Sequence, residues 1–419
     1  MKWAFPRGSL ARTSIQVMVW QGVRLLCLAG WIVIAARTLG AQDYGIFSGV
    51  TGTASALGGL VGLGSGMLMY QYSASDPSRF SRYWKQTWVL CIASSLPLAL
   101  LLFPSVLGTG SISAWGIGLI ALSEIVAFPF VTNAAFAFSS HERMGWAAAL
   151  PAINAAFRLI AIVVFSQTLA GQDLNHYLIL HLAASLCSSA FSMLAVRRLL
   201  KPRPAALQIQ GSDLRHGASH AASWTSATAI TTLDKAFVLR AGGDTTAGLY
   251  AACYRIAAVA AMPLDAMMMS AMPRFFRAHL EGTRHRRLIF TMLAAAAGYT
   301  SLVASLLWWG AAFLPDLLGP DFTAAVPALR WMGLFILAYS VRQIACNVLV
   351  GRGFRIRKTL IEGGGLIAMA ILSAVLIPLH GLKGAVIMLI CVESGMAIVA
   401  GLTLRLSTWT PARENHASD

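Results

Sequence analysis

Charged side chains are scarce in this 419-residue chain: Asp, Glu, Lys and Arg together make up 11% of it, against roughly a quarter in soluble domains. Acidic residues are the rarer kind, with 16 Asp and Glu against 32 Lys and Arg, whereas hydrophobic residues make up 57%. The longest hydrophilic stretch, from Arg197 to Gly217, has the size of a linker and no core of its own. These shortages exclude a soluble catalytic domain and predict an all-α, polytopic membrane protein.

Cysteine is also scarce, and its placement argues against two kinds of chemistry. All six cysteines fall inside apolar runs, which is not the pattern of a disulfide framework or of a metal site. We predict small buried side chains here, with no metal and no cofactor. His176 and His181 are five residues apart near an outer helix end, which is not ligand spacing on one helix face, so both are predicted to be surface residues.

Twelve apolar runs are each long enough to cross a bilayer, which takes about 20 residues. They lie near residues 14–36, 45–69, 87–108, 112–138, 147–169, 175–196, 219–239, 248–272, 288–310, 327–350, 359–378 and 384–404. The first run contains Arg24 and is not followed by a small-residue cleavage site. It is therefore predicted to be a transmembrane helix and not a cleaved signal peptide.

The basic residues are distributed asymmetrically about these runs. With the N-terminus in the cytoplasm, 23 of the 32 Lys and Arg lie on the cytoplasmic side, three on the opposite side and six inside the spans. This asymmetry obeys the positive-inside rule and predicts that both termini are cytoplasmic. Topology thus explains the net charge of +16, and nucleic acid is not expected as a partner.

The chain also resembles itself at an offset of 203 residues. The aligned pairs are Arg37 and Arg240, Gly40 and Gly243, Gly45 and Gly248, Phe47 and Tyr250, and Ala54 and Ala257. Each glycine is expected to end the first helix of an outer hairpin. We predict an N-terminal lobe at 1–212 and a C-terminal lobe at 213–419, each with six spans and related by an axis along the membrane normal. Chance similarity between apolar hairpins is the alternative.

The second span is rich in glycine, at Gly58, Gly59, Gly62, Gly64 and Gly66. It is not a phosphate-binding loop, because no Lys-Ser or Lys-Thr pair follows and the setting is apolar. We predict close helix packing there, or a helix that bends easily.

Residues 36–47, Ala-Arg-Thr-Leu-Gly-Ala-Gln-Asp-Tyr-Gly-Ile-Phe, resemble the ARxLGxxxYGxF hairpin of bacterial polysaccharide flippases, the Wzx-type members of the MOP superfamily. The run from Gly248 to Arg255 is similar again. This resemblance implies two six-helix lobes around a cavity, in a bacterial inner membrane. The implied activity moves a polyprenyl-pyrophosphate-linked oligosaccharide from the cytoplasmic to the periplasmic leaflet, beside polysaccharide polymerase and chain-length machinery. The sugar stays open, as does the choice between O-antigen lipopolysaccharide, capsule and exopolysaccharide.

Eleven ionisable residues lie inside the predicted spans, where a charge costs about 2.5–3.5 kcal/mol at the bilayer centre. They are expected to face a wet cavity or one another. The basic residues are Arg24, Arg158, Lys235, Arg255, Arg330 and Arg342, and the acidic residues are Glu124, Asp234, Asp265, Glu362 and Glu393.

The implied substrate explains the cations, because a pyrophosphate diester carries two negative charges and a guanidinium binds phosphate oxygens through paired N–H groups. Arg24 and Arg158 also have a polar neighbour three or four residues earlier, on the same helix face. The predicted substrate-binding residues are Arg24, Arg158, Arg255, Lys235, Arg342, Gln21 and Asn154. The predicted candidates for proton or sodium coupling are Asp234, Asp265, Glu124 and Glu393, for which pairing with buried bases is an equally good account.

Two other classes of protein remain as alternatives. A cation-coupled drug exporter of the related MATE type would be expected to carry surplus buried acid, whereas six buried bases face five acids here. A membrane polysaccharide polymerase, ligase or acyltransferase would be an enzyme, and such polymerases and ligases have a large periplasmic loop that this sequence lacks. No acid, base and nucleophile converge in the sequence, so the protein is predicted not to be an enzyme.

Overall fold

The computed structural model describes residues 9–106, 112–168, 173–277 and 282–406. The two chain termini, to which the topology prediction refers, lie outside these residues. Every regular element in the described part is helical. The α-helices are α1 (Ser9–Gly58), α2 (Ser65–Ser75), α3 (Phe80–Val106), α4 (Ala114–Ile120), α5 (Phe128–Ser140), α6 (Met144–Gln167), α7 (Leu174–Leu199), α8 (Gly211–Arg277), α9 (Gly282–Gly310), α10 (Leu314–Leu318), α11 (Val326–Gly351) and α12 (Arg355–Leu406).

Apolar side chains cover much of the outer surface of these helices. Leucine and isoleucine side chains are half or more exposed along α3, α6, α9 and α12, as suits helices that face lipid tails. Examples are Leu100, Ile160, Leu306, Ile367 and Ile371. Within the described residues, nine helices are long and apolar enough to cross a membrane. The chain is a multi-pass, all-helical membrane protein.

Three of the helices are too long to be single spans. Helices α1, α8 and α12 contain 50, 67 and 52 residues, which is about 75–100 Å of helix against a hydrocarbon core of about 30 Å. Each is interrupted by a kink, at Gly40, Gly243 and Gly381. The helix lengths favour two spans for each of the three, while the total of twelve stays a prediction.

The kinks at Gly40 and Gly243 have nearly the same backbone conformation. Their φ and ψ angles are 69° and 177° at Gly40 and 77° and 178° at Gly243. A residue with a Cβ is strained in this region, so glycine is required at both positions. The two glycines are the pair that the 203-residue offset aligns, and the predicted helix ends are present at both.

The glycine-rich second span is broken between α1 and α2. Gly62, Leu63 and Gly64 have φ angles of 74°, 50° and 73°, so the helix cannot continue through them. The break is packed closely: a Cβ on Gly64 would overlap the carbonyl oxygen of Gly217 in α8. Ser94 of α3 accepts a hydrogen bond from the Gly62 amide at 2.8 Å. The predicted close packing is confirmed, and it occurs where the helix is interrupted.

The contacts divide the chain into unit 1, Met1–Ala236, and unit 2, Phe237–Asp419. This division falls about one span later than the boundary predicted after residue 212, because the first half of α8 packs against α1. A Cβ on Gly52 of α1, for example, would overlap the carbonyl oxygen of Thr232. The separation into two six-span lobes stays a prediction.

Candidate functional site

Glu124 is the centre of a buried ion network in unit 1. Its side chain is 5% exposed, and its Oε1 accepts a hydrogen bond from Arg158 Nη2 at 2.6 Å. The same oxygen lies 2.9 Å from His181 Nε2 and accepts a bond from the Ser123 hydroxyl at 3.2 Å. A carboxylate buried at membrane depth requires paired charge and hydrogen bonds of this kind.

The backbone around Glu124 is irregular. The residue lies in a π-helical segment, Ala121–Ala127, between α4 and α5. Such segments disturb the regular helical ladder and are frequent at functional sites. The hydroxyl of Ser189 in α7 donates to the carbonyl oxygen of Ala127 at 2.6 Å and so satisfies one displaced acceptor. The π segment, α6 and α7 are thereby held together at one level of unit 1.

His181 is buried, with 1% of its side chain exposed, so the prediction of a surface residue is wrong. Besides Glu124, it has the hydroxyl of Tyr177 at 3.4 Å from Nδ1. Tyr177 in turn accepts a hydrogen bond from Trp31 Nε1 of α1 at 2.9 Å. The ring of Phe47 packs edge-on against the imidazole, with centroids 5.1 Å apart. His181 thus connects the ion network to α1.

A signal in the sequence could have placed His181 correctly. Polar residues recur at 177, 181, 185, 188 and 192 along α7, a spacing of three or four that defines one helix face. All five are buried. His176, which lies on another face of α7, is exposed as predicted.

The polar face predicted for Arg158 and Asn154 exists and points at α7. The hydroxyl of Ser188 donates to Asn154 Oδ1 at 2.7 Å, and Arg158 Nη2 lies 3.4 Å from Ser185 Oγ. Arg158 keeps 21% of its side chain exposed, whereas Asn154 is buried. The predicted pair therefore takes part in interhelical hydrogen bonds within unit 1.

Asp234 and Lys235 form an ion pair in α8. Lys235 Nζ lies 2.8 Å from Asp234 Oδ1 and donates to the carbonyl oxygen of Thr231 at 2.9 Å. Asp234 is fully buried and the Lys235 side chain is 8% exposed. The positive charge predicted for the cavity is therefore balanced here by an adjacent carboxylate.

A second buried ion network lies in unit 2, around Arg342 of α11. Its Nε donates to Glu393 Oε2, and its Nη1 lies 3.9 Å from Glu362 Oε1. Lys358 Nζ lies 3.0 Å from the same Glu362 oxygen. The side chains of Arg342 and Glu393 are each 3% exposed. The guanidinium is thus balanced by two carboxylates and sealed from solvent.

The two networks differ in the sign of their central charge. The network of unit 1 joins the π segment, α6 and α7, and that of unit 2 joins α11 and the two halves of α12. In unit 1 one carboxylate has two nitrogen partners. In unit 2 one guanidinium has two carboxylate partners.

Asp265 of α8 belongs to a more open polar cluster in unit 2. Its Oδ1 accepts a hydrogen bond from the Tyr339 hydroxyl at 2.8 Å and lies 3.4 Å from Gln343 Nε2. Gln343 Nε2 also lies 3.0 Å from the Tyr339 hydroxyl. These three side chains, and that of Asn347 one turn further along α11, are half-buried. We call Asp265, Tyr339, Gln343 and Asn347 the Asp265 cluster.

Arg24 and Gln21 lie on the exposed face of α1. Among the side chains that the structure describes, Arg24 makes no hydrogen bond and no ion pair. Arg255 of α8 is half-buried and interacts with another group. Of the five predicted basic contacts, Arg158, Lys235 and Arg342 therefore have acidic partners, and Arg24 is the most exposed.

The described residues contain no group of three or more His, Cys, Asp or Glu side chains that could hold a metal ion. Their six cysteines are free thiols, of which Cys91, Cys253 and Cys346 are buried, Cys27 is half-buried, and Cys187 and Cys391 are exposed. The prediction that all six are buried is wrong for the last two, because an apolar run in a membrane helix includes its lipid-facing side.

Comparison with solved structures identifies the fold. An inward-facing multidrug resistance MATE transporter of the MOP superfamily has a TM-score of 0.72 at 14% identity, over 92% of this chain and 94% of that one. An outward-facing transporter of the same kind has a TM-score of 0.60 at 16% identity, over 95% and 96%. A MOP superfamily transporter from Pyrococcus furiosus, described by the reverse polarity of its binding pocket, has a TM-score of 0.61 at 15% identity, over 94% of each chain.

Comparison of sequences identifies the family. A family model described as polysaccharide biosynthesis protein matches residues 10–279, which include both glycine kinks of the repeated hairpin. A search of curated protein sequences gives no match. The chain therefore belongs to the polysaccharide biosynthesis protein family and has the fold of the MOP superfamily transporters.

Proposed function

We propose that this protein is a flippase that moves a polyprenyl-pyrophosphate-linked oligosaccharide from the cytoplasmic to the periplasmic leaflet of a bacterial inner membrane. The observation that carries the proposal is the exposed, unpartnered Arg24 inside a membrane-spanning segment of a chain whose family serves polysaccharide biosynthesis. A lipid-facing arginine would cost several kcal/mol, so this side chain belongs in a wet cavity. A guanidinium in such a cavity selects an anion.

The pairing of the other charges sharpens the proposed anion site. Glu124, Asp234, Glu362 and Glu393 each lie within ion-pair distance of a basic side chain, so these acids offer little charge to a cationic drug. Arg24 is the basic contact on which we base the anion site, with Gln21 beside it on the exposed face of α1. In this proposal the other basic residues hold helices together or take part in coupling.

The fold itself does not decide the charge of the cargo. Among the neighbours, two are multidrug resistance transporters, and the one from Pyrococcus furiosus is described as having a pocket of reverse polarity and a different function. Proteins of this fold thus differ in the polarity of their pockets. In our proposal the pocket of this chain is positive, which suits a pyrophosphate and not an organic cation. Family and fold both favour transport over catalysis.

The direction of movement agrees with the membrane potential. With the cytoplasm negative, moving the two charges of a pyrophosphate diester outward is favourable by about 2.3 kcal/mol per charge for each 100 mV. We propose the Glu124 network as the place where a proton could add to this driving force, because it contains a buried histidine and carboxylate in direct contact. Collapsing the potential at a fixed pH gradient should slow transport, and transport that is indifferent to the potential would refute the role of the potential as a driving force.

The proposed orientation places the linker between α7 and α8 in the cytoplasm. The linker is bound along α3 through its backbone: Lys85 Nζ donates to the carbonyl oxygen of Ala205 at 2.8 Å, and the Arg203 amide donates to Ser81 Oγ at 2.9 Å. Its basic residues fit the positive-inside rule. The polymerase and chain-length proteins that would use the product act on the opposite face.

The test is made in a strain that lacks the protein. Polyprenyl-pyrophosphate-linked sugars are extracted, and spheroplasts show which membrane face displays them. We expect single repeat units confined to the cytoplasmic face. Units displayed outside but left unpolymerised would indicate an enzyme, and unchanged lipids would indicate a drug exporter.

The site is tested by complementation of this strain with Arg24→Ala. This variant would lose a charged hydrogen bond to the substrate, which is worth about 1.5–3 kcal/mol. We therefore expect transport to be about 10- to 100-fold slower at an equal amount of protein in the membrane. Arg405→Ala is the matched control, because this exposed arginine lies at the end of α12, after the last predicted span. Equal complementation by both variants would refute the role of Arg24.

A further inference from the structure

The Asp265 cluster differs from the two buried ion networks in its exposure. The side chains of Arg342 and Glu393 are 3% exposed, whereas all four members of the Asp265 cluster are half-buried. A polar cluster on membrane-spanning helices that is not sealed by protein must meet water or a polar ligand, because the lipid core has neither.

The cluster also lies well inside its helices and not at their ends. Gln343 is eight residues before the end of α11, or about 12 Å along the helix axis, and Asp265 is twelve residues before the end of α8, or about 18 Å. Tyr339, Gln343 and Asn347 follow one another at intervals of four residues, so they form a single polar stripe along α11. A stripe of this length could follow an elongated ligand.

The chemistry of the cluster fits hydroxyl groups. It combines a carboxylate, two carboxamides and a phenol, so it offers donors and acceptors together, and a sugar hydroxyl needs one of each. The contacts from Tyr339 and Gln343 both reach Asp265 through Oδ1. The half-buried ring of Tyr339 packs against the buried ring of Phe335, with centroids 5.9 Å apart, and supplies a flat apolar face of the kind that the C–H side of a sugar ring can contact.

A cation site is a poorer account of the same geometry. A sodium ion needs several oxygens directed at one point, whereas Tyr339 and Gln343 direct donor groups at Asp265. A phosphate site is also a poor account, because the exposed charge of the cluster is negative.

We infer that the Asp265 cluster is a carbohydrate-binding subsite that takes hydroxyl groups of the transported oligosaccharide. This inference rests on the proposed function and assigns the sugar to unit 2.

The experiment is a competition for the purified full-length protein, read by native mass spectrometry. The two probes are undecaprenyl pyrophosphate and the glycosylated polyprenyl pyrophosphate extracted from the deletion strain, and their mass difference identifies which is bound. Wild-type protein is expected to prefer the glycosylated lipid. Asp265→Asn is expected to reduce this preference about tenfold, because bonds to a neutral amide replace charge-assisted ones.

A second variant and a matched control guard against a fold defect. Tyr339→Phe removes the hydroxyl next to Asp265 and should also lower the preference, by a few-fold. Tyr299→Phe removes a hydroxyl that donates to the carbonyl oxygen of Ala260 at 2.8 Å in the same unit, and it should leave the preference unchanged. Each variant is accepted only if its unfolding temperature is close to that of the wild type; should Asp265→Asn fail, Tyr339→Phe decides.

The outcomes separate the inference from the function on which it rests. Wild-type protein that binds both lipids equally would refute the sugar subsite and leave the pyrophosphate proposal standing. The subsite would also be refuted if Asp265→Asn weakened the binding of both lipids by the same factor. The same holds if the preference for the glycosylated lipid changed with the sodium concentration and not with the residue at position 265. Wild-type protein that binds neither lipid would refute the proposed function itself.

Discussion

The buried network around Arg342 allows a stability prediction of defined size. Arg342→Met removes the guanidinium from between Glu393 and Glu362, so the buried carboxylate of Glu393 loses its ion pair with Arg342. Both Arg342 and Glu393 side chains are 3% exposed, so solvent screens them little. Removing one partner of such a pair costs about 3–5 kcal/mol.

The double variant Arg342→Met/Glu393→Met should recover most of this loss. It removes both charges of the pair and keeps the 3.0 Å contact between Lys358 and Glu362. Replacement of a whole buried pair by apolar side chains is often neutral or stabilising. We expect the double variant to lie within about 1–2 kcal/mol of the wild type.

Equilibrium unfolding in mixed detergent micelles, followed by tryptophan fluorescence, measures the free energy of unfolding of the wild type, both single variants and the double variant. The reasoning requires a coupling energy that favours the double variant over the sum of the singles. A double variant no more stable than Arg342→Met would show that the pair does not stabilise unit 2 through its charges.

Two further predictions concern a kink and a turn. Gly243→Ala should lower the free energy of unfolding by about 1–3 kcal/mol through backbone strain alone, because the φ of Gly243 is 77° and an added Cβ meets nothing within 4 Å. The control is Gly298→Ala, at an equally open position with helical backbone, which should be neutral or slightly stabilising. Equal effects of the two variants on thermal unfolding would contradict this prediction. The hydrogen bonds from Ser78 lower the pKa of Asp76. The ionised carboxylate should therefore stabilise its turn fully above the ordinary carboxyl pKa, and this contribution should be lost as the pH falls through the lowered pKa of the folded protein. A carbon-13 NMR titration of Asp76 tests this.

The sequence was sufficient for the features that depend on local composition. Apolar runs and the distribution of Lys and Arg predict a polytopic helical membrane protein, and the hairpin around Gly40 predicts the family. The kinks at Gly40 and Gly243 could be predicted because a glycine at a helix end has a local physical reason, and the 203-residue offset shows that it occurs twice.

The charge pairs could not be predicted, because they depend on how distant helices pack. Glu124 and Arg158 are separated by 34 residues, and Arg342 and Glu393 by 51. The composition shows that charges inside a membrane need a partner, but it does not show which residue the partner is. His181 was misplaced for the same reason, since its partner Glu124 lies 57 residues away.

The matching kinks at Gly40 and Gly243 have a consequence for how this protein can evolve. Their backbone conformation excludes side chains, so both hairpins are bound to the same shape whatever surrounds them. The residues on the helices have no such restriction, as the opposite central charges of the two buried networks show. The chemistry of the helices can therefore change by single substitutions while both kinked hairpins keep their shape.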